Sequence, residues 1–199
     1  MTKEEFQNKI SGLEEVNIEL GPGNRKKKGY LGIDSVDIEG VDIVFNIEKG
    51  VPFIPDNSVD NYFSNHLLEH IDNYEGLIKE IHRTLKKGGQ AEMVVPHFTN
   101  SYFYSDYTHK RTFGLFSFDY FCEEEYQLRT KVPNFYTKKR FKILKRELRF
   151  GSQFLFFHWI LQVFKKMVNR NDFTKEFYEI SLSNFVRCSE VRFIISPVK

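Results

Sequence analysis

Short apolar runs alternate with amphipathic stretches along the first half of the chain. The runs are rich in Val, Ile, Leu, Tyr and Phe and are bounded by Gly, Pro, Asn or Asp, a pattern that predicts β-strands. Five strands are predicted at residues 16–20, 30–33, 41–45, 59–64 and 91–95. The second strand ends on Asp34 and the third at Asn46.

Two helices are predicted in the same part of the chain. Phe6, Ile10 and Leu13 lie at helical spacing in residues 1–14 and predict a short amphipathic helix that acts as a lid or a brace. Asp72 or Asn73 can cap a second helix. Its apolar face is formed by Leu77, Ile78, Ile81 and Leu85, and the lysines and glycines of residues 86–89 are expected to end it.

The second half of the chain has a less regular pattern. Nine aromatic residues crowd into residues 102–121 with little periodicity, and two further strands are predicted at residues 141–150 and 191–195. Residues 154–164 are apolar almost all round, which favours a buried helix packed on the sheet. The alternatives are an oligomer contact or a peripheral membrane contact flanked by Lys165 and Lys166. This run is shorter than the roughly 20 residues of a transmembrane span.

Strands that alternate with helices predict an open α/β sheet with its ligand at the carboxyl ends of the strands. The length of 199 residues fits a single domain over residues 1–199, with residues 97–190 containing loop and helical insertions. A net charge of +2 is too small to indicate nucleic-acid binding.

The chain contains two cysteines, Cys122 and Cys188, with no C-x-x-C pairing, which favours a reducing compartment. Residues 1–6 contain no apolar signal segment, so we expect a cytoplasmic protein.

A glycine turn, residues 19–24 (ELGPGN), closes the first strand. Glycines let the backbone approach a ligand closely and expose N–H groups to it. A dinucleotide site would have G-x-G-x-x-G, a following helix and an acidic residue about twenty positions later. Here Lys26 occupies the third glycine position, residues 24–29 leave no room for a helix, and Asp34 comes early. These departures count against NAD.

Four further motifs follow the glycine turn in order: residues 32–34 (GID), 51–60, 66–70 (HLLEH) and 85–89 (LKKGG). Together with the turn, they make the chain resemble class I S-adenosylmethionine-dependent methyltransferases, in particular small single-domain members with a shortened first helix. The resemblance covers roughly residues 16–121. It implies a Rossmann-like, seven-stranded, mostly parallel sheet with helices on both faces, S-adenosylmethionine as cofactor, and residues 97–121 as the acceptor-side wall.

We predict a small-molecule acceptor, for which a glycan or a sugar-linked precursor is the leading hypothesis. The alternative is a non-catalytic protein that keeps the fold as a partner-binding or regulatory module. That alternative is motivated by Arg25 and Lys26 in the glycine loop and by Asn46 in place of an acid.

The resemblance assigns cofactor-binding roles to residues at the ends of the strands. The glycine turn is expected to face the amino acid and ribose moieties, Asp34 the ribose hydroxyls and Asn46 the adenine. Residues 64–66 are expected to face the methionine part and the transferring methyl group. The predicted cofactor-binding set is Glu19, Gly21, Pro22, Gly23, Asp34, Asn46, Ser64, Asn65 and His66.

Three residues beyond the fifth strand are candidates for proton transfer. His109 is the first candidate for a general base, because imidazole exchanges protons near neutral pH, and Asp106 could orient it. A loop-stabilising hydrogen bond is the alternative for this pair. His97, next to Pro96, is the second candidate.

Residues 66–70 also fit the H-x-x-E-H pattern of a zinc peptidase family, in which His66, Glu69 and His70 would converge on a helix. A peptidase needs a further ligand and a different fold, and some methyltransferases hold a divalent metal with such residues. Capping and hydrogen bonding at a helix start is the favoured interpretation, and no metal site is predicted.

Overall fold

The computed structural model describes residues 1–151 and 155–199, with side chains omitted for residues 155–157. The helices are α1 (Lys3–Ser11), α2 (Tyr74–Thr84), α3 (Leu155–Val168) and α4 (Asp172–Phe177). The strands are β1 (Asn17–Leu20), β2 (Leu31–Asp34), β3 (Ile43–Val44), β4 (Val59–Asn65), β5 (Leu85–Pro96), β6 (Phe141–Arg149) and β7 (Glu190–Pro197). Short 3₁₀ or π turns lie at Ile47–Lys49, Leu68–His70, Ser101–Ser105, Asp119–Phe121, Glu124–Tyr126 and Tyr178–Leu182.

The seven strands form one open sheet in the order β3-β2-β1-β4-β5-β7-β6. Strands β1 to β5 pair in parallel, whereas β7 is antiparallel to both β5 and β6. The predicted Rossmann-like, mostly parallel, seven-stranded sheet is confirmed. Because β2 and β4 lie on opposite sides of β1, the strand order reverses direction there. Ligands of open α/β sheets bind at such a switch point.

The central parallel strands are buried on both faces of the sheet, so most of their interior side chains are apolar. Ile18 and Leu20 of β1 and Ile33 of β2 are buried. Helix α2 begins after Asn73, whose side chain accepts a hydrogen bond from the Gly76 N–H at 3.2 Å. The predicted cap is confirmed, and so is the apolar face at Leu77, Ile78 and Ile81, whereas Leu85 belongs to β5.

Two predicted boundaries differ from the structure. The predicted third strand is reduced to two residues, because Asp42 turns its carboxylate back to accept the Gly32 N–H at 2.8 Å. Residues 86–89 do not end α2 but belong to β5. The register between β4 and β5 shifts there, and a Cβ on Gly89 would lie only 2.9 Å from the Asp60 carbonyl oxygen. Glycine therefore permits the strand to start early.

The amino-terminal helix acts as a brace for the sheet. Phe6 and Ile10 are buried, and the Phe6 ring contacts Phe53 edge-on with centroids 5.6 Å apart. Leu13, predicted to share the apolar face, lies beyond the end of α1 and is exposed.

The predicted buried helix at residues 154–164 corresponds to α3, and Phe154 lies outside the described residues. Leu161 and Phe164 pack against the core, but Trp159 is 69% exposed and Ile160 and Val163 are also exposed. The predicted burial therefore applies to Leu161 and Phe164, and it is wrong for Trp159, Ile160 and Val163. Across residues 1–151 and 155–199, no helix has both the length and the apolar character needed to cross a bilayer.

Candidate functional site

The carboxyl ends of β1, β2 and β4 meet at one edge of the sheet. Leu20, the last residue of β1, is paired with Ile33 on one side and with Ser64 on the other. The residues that follow these positions therefore lie next to one another: Gly21, Asp34 and Asn65. We call this edge the switch-point crevice.

Glycine is required at Gly21 and Gly23, the two glycines of the turn. Both adopt left-handed backbone angles, with φ of 64° and 54°. A Cβ on Gly21 would lie 2.7 Å from Leu67 Cδ1, so the bare backbone lets the chain after β4 approach the turn. A Cβ on Gly23 would meet nothing within 4 Å, which leaves open space above the turn. Pro22, between them, is buried.

Asp34 lies at the end of β2 with its carboxylate directed toward the glycine turn. Its Oδ2 accepts the Gly23 N–H at 3.2 Å, and its Oδ1 accepts the Val36 N–H at 3.2 Å. The side chain is half-buried. A carboxylate fixed in this way keeps lone pairs for a ligand with two hydroxyl groups, such as a ribose.

Glu19 lies beneath the lysine-rich loop that follows the turn. Its carboxylate is buried and accepts the Lys27 N–H at 2.5 Å. Burial raises the pKa of Glu19, and the Lys27 N–H and the charges of Lys27 and Lys26 partly oppose that shift. Lys26 in turn contacts Asp42 at 2.6 Å. No helix forms between β1 and β2, as predicted, and the protein's own carboxylates tie this loop to the sheet.

Asn46 is exposed and begins the 3₁₀ turn Ile47–Lys49, where its side-chain oxygen accepts the Glu48 N–H at 2.9 Å. The Glu48 carboxylate accepts the N–H groups of Asp72 and Asn73, both at 2.7 Å. The Asn46 oxygen is thus used within its own turn, which leaves the amide NH2 as its group for a ligand.

Ser64, Asn65 and His66 diverge at the end of β4. Ser64 is buried and its hydroxyl contacts Met93 Sδ at 3.1 Å. Its side chain therefore points into the protein interior instead of the crevice, because alternate residues of a strand face opposite sides. Asn65 and His66 are exposed at the crevice.

His66 has an unusual backbone and two acidic partners. Its φ is 53°, a left-handed conformation that is uncommon outside glycine. Nε2 lies 3.0 Å from Glu190 Oε1, and Nδ1 lies 3.3 Å from Glu69 Oε1. Hydrogen bonds to Glu190 and Glu69 raise the pKa of His66 to about 9, against the opposing effect of burial. The Glu190 contact spans 124 residues of sequence, and no local motif indicated it.

His97 is fully buried and is not available to a substrate. The Thr99 N–H donates to Nδ1 at 3.2 Å, so Nε2 carries the proton and donates to Glu179 Oε2 at 2.9 Å. Its predicted role as an alternative base does not fit this location. The imidazole instead connects the end of β5 to the turn Tyr178–Leu182.

The predicted pair Asp106 and His109 lies in the loop after β5. His109 Nε2 is 3.6 Å from Asp106 Oδ2, and its Nδ1 is 2.8 Å from the Phe103 carbonyl oxygen. Hydrogen bonds from the Thr108 hydroxyl and N–H hold the pKa of Asp106 below its ordinary value. The Lys110 N–H donates to the Glu69 carbonyl at 2.7 Å, which brings this loop to the end of β4.

The H-x-x-E-H residues do not converge on a helix, because only Leu68–His70 forms a 3₁₀ turn. His66 contacts both Glu190 and Glu69, and Glu69 and His70 also lie near His109. One ligand-capable atom from each of Glu69, His70 and His109 lies within 4.8 Å of the others. Sequence spacing identified Glu69 and His70, but the pairing with His109 depends on how the loop after β5 folds back.

The aromatic residues after Pro96 form irregular turns instead of strands or helices. Phe103, Phe113, Phe118 and Phe121 are buried, whereas Tyr102, Tyr104 and Tyr107 are exposed. A groove next to them is lined by Asn73, Tyr74, Arg111, Ser117, Tyr120 and Tyr136. This part of the chain therefore offers an aromatic and polar surface close to the ends of β4 and β5.

Comparison with known proteins identifies a known type of domain in the part of the chain that forms the switch-point crevice. Residues 16–93 match a family model described as a methyltransferase domain. No curated protein matches the chain. Among solved structures, the chain is similar to an S-adenosylmethionine-dependent methyltransferase from Archaeoglobus fulgidus, with 16% identity and a TM-score of 0.55 over 98% of this chain and 94% of that one. A putative methyltransferase from Bacillus halodurans gives 18% identity and a TM-score of 0.54, with 97% of each chain covered.

Proposed function

Since residues 16–93 match a methyltransferase domain, we propose that the chain is a class I S-adenosylmethionine-dependent methyltransferase and that it methylates a small molecule at the switch-point crevice. The observation that carries this proposal is the juxtaposition of the glycine turn, Asp34 and Asn65 at the strand ends. S-adenosylmethionine supplies an activated methyl group bound to a sulfonium. The methyl donor is inferred from the matched methyltransferase domain, and the small-molecule acceptor is inferred separately below.

The proposed cofactor contacts follow the order of the strands. Gly21, Pro22 and Gly23 face the amino acid and ribose, and Asp34 accepts the ribose hydroxyls. Asn46 approaches the adenine through its amide group, and Asn65 and His66 face the methionine side. Glu19 acts beneath the turn by holding the Lys27 N–H.

The reaction is an in-line displacement at the methyl carbon. The acceptor atom forms a bond to that carbon as the carbon–sulfur bond breaks, and neutral S-adenosylhomocysteine leaves. Since the donor is already activated, the protein mainly has to align the two reactants, which can supply up to about 7–11 kcal/mol. An acceptor hydroxyl has to lose its proton during transfer.

A glycan or sugar-linked acceptor is the proposed substrate class. Support comes from Tyr102, Tyr104 and Tyr107, which are exposed in the loop after β5. Tyrosine offers a flat apolar face and a hydroxyl, a combination suited to polyhydroxylated molecules. We place the protein in the cytoplasm, because Cys122 and Cys188 are both free and buried.

We also propose a peripheral membrane contact through α3. Trp159, Ile160, Val163 and Met167 are exposed on this helix, and Lys165 and Lys166 lie in its last turn. Exposed apolar residues next to lysines are typical of helices that lie at an anionic membrane surface. This contact would place the enzyme at the membrane surface.

Calorimetry with S-adenosylhomocysteine tests the cofactor site. We expect binding by the intact protein and a loss of at least about tenfold in affinity for Asp34→Ala, since a hydrogen bond to a charged group contributes about 1.5–3 kcal/mol. Asp37→Ala, an exposed residue of the same loop, serves as the matched control and should bind normally.

Thermal unfolding of Asp34→Ala checks that the loss is not a failure to fold. Absence of binding by the intact protein, or normal binding by Asp34→Ala, would contradict the proposal. Cofactor binding without methyl transfer to any extract fraction would favour the non-catalytic alternative. Labelled methyl groups in a low-molecular-weight fraction would exclude that alternative.

A further inference from the structure

Three side chains capable of binding a metal meet where the loop after β5 folds onto the end of β4. Glu69 is buried, and His70 and His109 are partly buried, with one ligand-capable atom of each within 4.8 Å of the others. We propose that Glu69, His70 and His109 hold one divalent transition-metal ion. Two imidazoles and one carboxylate form a ligand set typical of zinc and of non-haem iron(II).

The hydrogen bonds of His109 leave Nε2, which lies 3.6 Å from Asp106 Oδ2, as its nitrogen with a free lone pair. Its Nδ1 is 2.8 Å from the Phe103 carbonyl oxygen, which can only accept, so Nδ1 carries the proton. Nε2 therefore keeps its lone pair. A ring N–H donated to a backbone carbonyl is the usual orientation of a metal-bound histidine.

His70 is oriented by a chain of two hydrogen bonds. The Thr108 hydroxyl lies 2.5 Å from Asp106 Oδ1 and donates its single proton to that carboxylate. Thr108 Oγ1 is also 2.9 Å from His70 Nδ1 and must accept there, so Nδ1 of His70 carries the proton. Both histidines thus present an unprotonated Nε2.

The Glu69 carboxylate is the independent observation that points to a cation. This side chain has no exposed surface, and its Oε2 atom has no hydrogen-bond partner among the described residues. A buried carboxylate oxygen without a partner costs free energy. Its other oxygen contacts His66 at 3.3 Å, so one oxygen remains for a metal.

The size of the cluster suits a metal after a small contraction. Ligand atoms bound at about 2.0–2.1 Å around a tetrahedral ion lie about 3.3 Å apart. The present separations reach 4.8 Å, so side-chain adjustments of about one ångström are needed. The two imidazole rings already contact each other, with centroids 4.7 Å apart.

This site gives His109 a different role from the general base expected from the sequence, because both roles need Nε2. A metal with an open position beside the crevice would bind an acceptor hydroxyl and make it easier to deprotonate. The acceptor would then be a hydroxyl compound, its proton leaving to water before oxygen attacks the methyl carbon. Only this last step depends on the proposed function.

Titration of the metal-free protein with Co²⁺ is the direct test, because visible absorption reports nitrogen ligands. We expect one Co²⁺ per chain, displaced by Zn²⁺. His70→Ala and His109→Ala should each weaken binding by more than about 100-fold, since even outer-shell changes cost about 10–100-fold. His158→Ala, on the exposed surface of α3, is the matched control and should bind normally.

A positioning variant and cofactor binding complete the test. Thr108→Val should weaken Co²⁺ binding by about 10–100-fold through the orientation of His70. No stoichiometric Co²⁺ binding by the intact protein, or normal binding by His109→Ala, would overturn the site. Binding of S-adenosylhomocysteine is measured on the same samples. If the protein binds S-adenosylhomocysteine but not Co²⁺, only the metal site is rejected. If it binds Co²⁺ but not S-adenosylhomocysteine, only the proposed function is rejected.

Discussion

The residues before Pro96 and the loop at residues 97–140 are held in place in different ways. In the first region, parallel strands satisfy one another's backbone groups along β1, β2, β4 and β5. In the loop, short turns supply local backbone hydrogen bonds, and buried carboxylates accept several of the remaining backbone N–H groups. Glu176 accepts the Arg129 N–H at 2.5 Å, and Glu179 accepts the Leu115 N–H at 2.7 Å.

This difference shows how irregular backbone can be fixed beside a sheet. A buried N–H needs a partner whether or not it belongs to a strand. In a sheet, many residues of the neighbouring strands supply the acceptors for these N–H groups. Where a buried carboxylate accepts several N–H groups, their hydrogen bonds all depend on one side chain. The loop at residues 97–140 should therefore depend in part on a few side chains that lie far from it in sequence.

The largest expected effect comes from Glu179→Ala. The change leaves the Leu115 N–H and the His97 Nε2–H without partners in a buried site. Each unsatisfied group costs about 1–3 kcal/mol, so we expect a loss of about 3 kcal/mol in the free energy of unfolding. Urea denaturation measures it. Glu124→Ala, an exposed glutamate in the same loop, should change this free energy by less than about 0.5 kcal/mol.

If Glu179→Ala and Glu124→Ala lowered the free energy of unfolding equally, the buried carboxylate would not be what stabilises the loop, and the proposed difference between the two regions would be wrong. Native-state hydrogen exchange sharpens the same comparison. In Glu179→Ala, amide protection should fall at Leu115 and persist in β1 and β4, whose hydrogen bonds do not involve the carboxylate.

A smaller effect is expected from Asp42→Asn in the first region. Burial alone would raise the pKa of Asp42, but hydrogen bonds from Lys26 and the Gly32 N–H outweigh it and hold the pKa below its ordinary value. We expect a loss of about 1 kcal/mol in the free energy of unfolding at pH 7, because the pair is only partly buried.

The sign of the pH dependence follows from the lowered pKa. The charged form of Asp42 contributes stability above the ordinary aspartate pKa of about 3.9, and this contribution disappears as pH falls through the lower folded-state value. The difference between wild type and Asp42→Asn should be constant from about pH 8 to 5 and shrink below about pH 4. A difference that grows on acidification would contradict the assigned contacts.

The smallest effect on stability is expected at α3. Trp159 is 69% exposed, so Trp159→Ala should change the free energy of unfolding by less than about 0.5 kcal/mol. Trp159 is also the only tryptophan of the chain. Vesicles of phosphatidylcholine with phosphatidylserine should shift its emission to shorter wavelength, and pure phosphatidylcholine is the control. Unchanged emission with both would exclude the peripheral membrane contact.

The sheet could be predicted from the sequence because its signals are local. Glycine at positions 21 and 23, and the apolar runs of β1, β4 and β5, determine strands and turns within a few residues. The start of β5 could not be predicted, because residues 86–89 resemble a helix end. They lie in an irregular stretch between the pairs Val59–Leu85 and Asn61–Gln90, which depend on the distant strand β4.

The candidate site was predictable only in part, because some of its residues are positioned by local signals and others by contacts that are distant in sequence. Gly23 and Asp34 follow directly from strand ends. The burial of His97 depends on Glu179, which is 82 residues away, and the neighbours of His66 and His109 depend on similar long-range contacts. Side-chain direction after a strand is set by these tertiary partners, which no spacing rule contains.

The position of β7 has a consequence for the order of folding. This strand is synthesised after β6 but lies between β5 and β6, pairing Ala91 with Ile195 and Ile143 with the same residue. Strand β6 therefore cannot occupy its final place against the sheet until β7 has been made and inserted. Until β7 is inserted, the edge of β5 is unpaired, and unpaired strand edges favour aggregation.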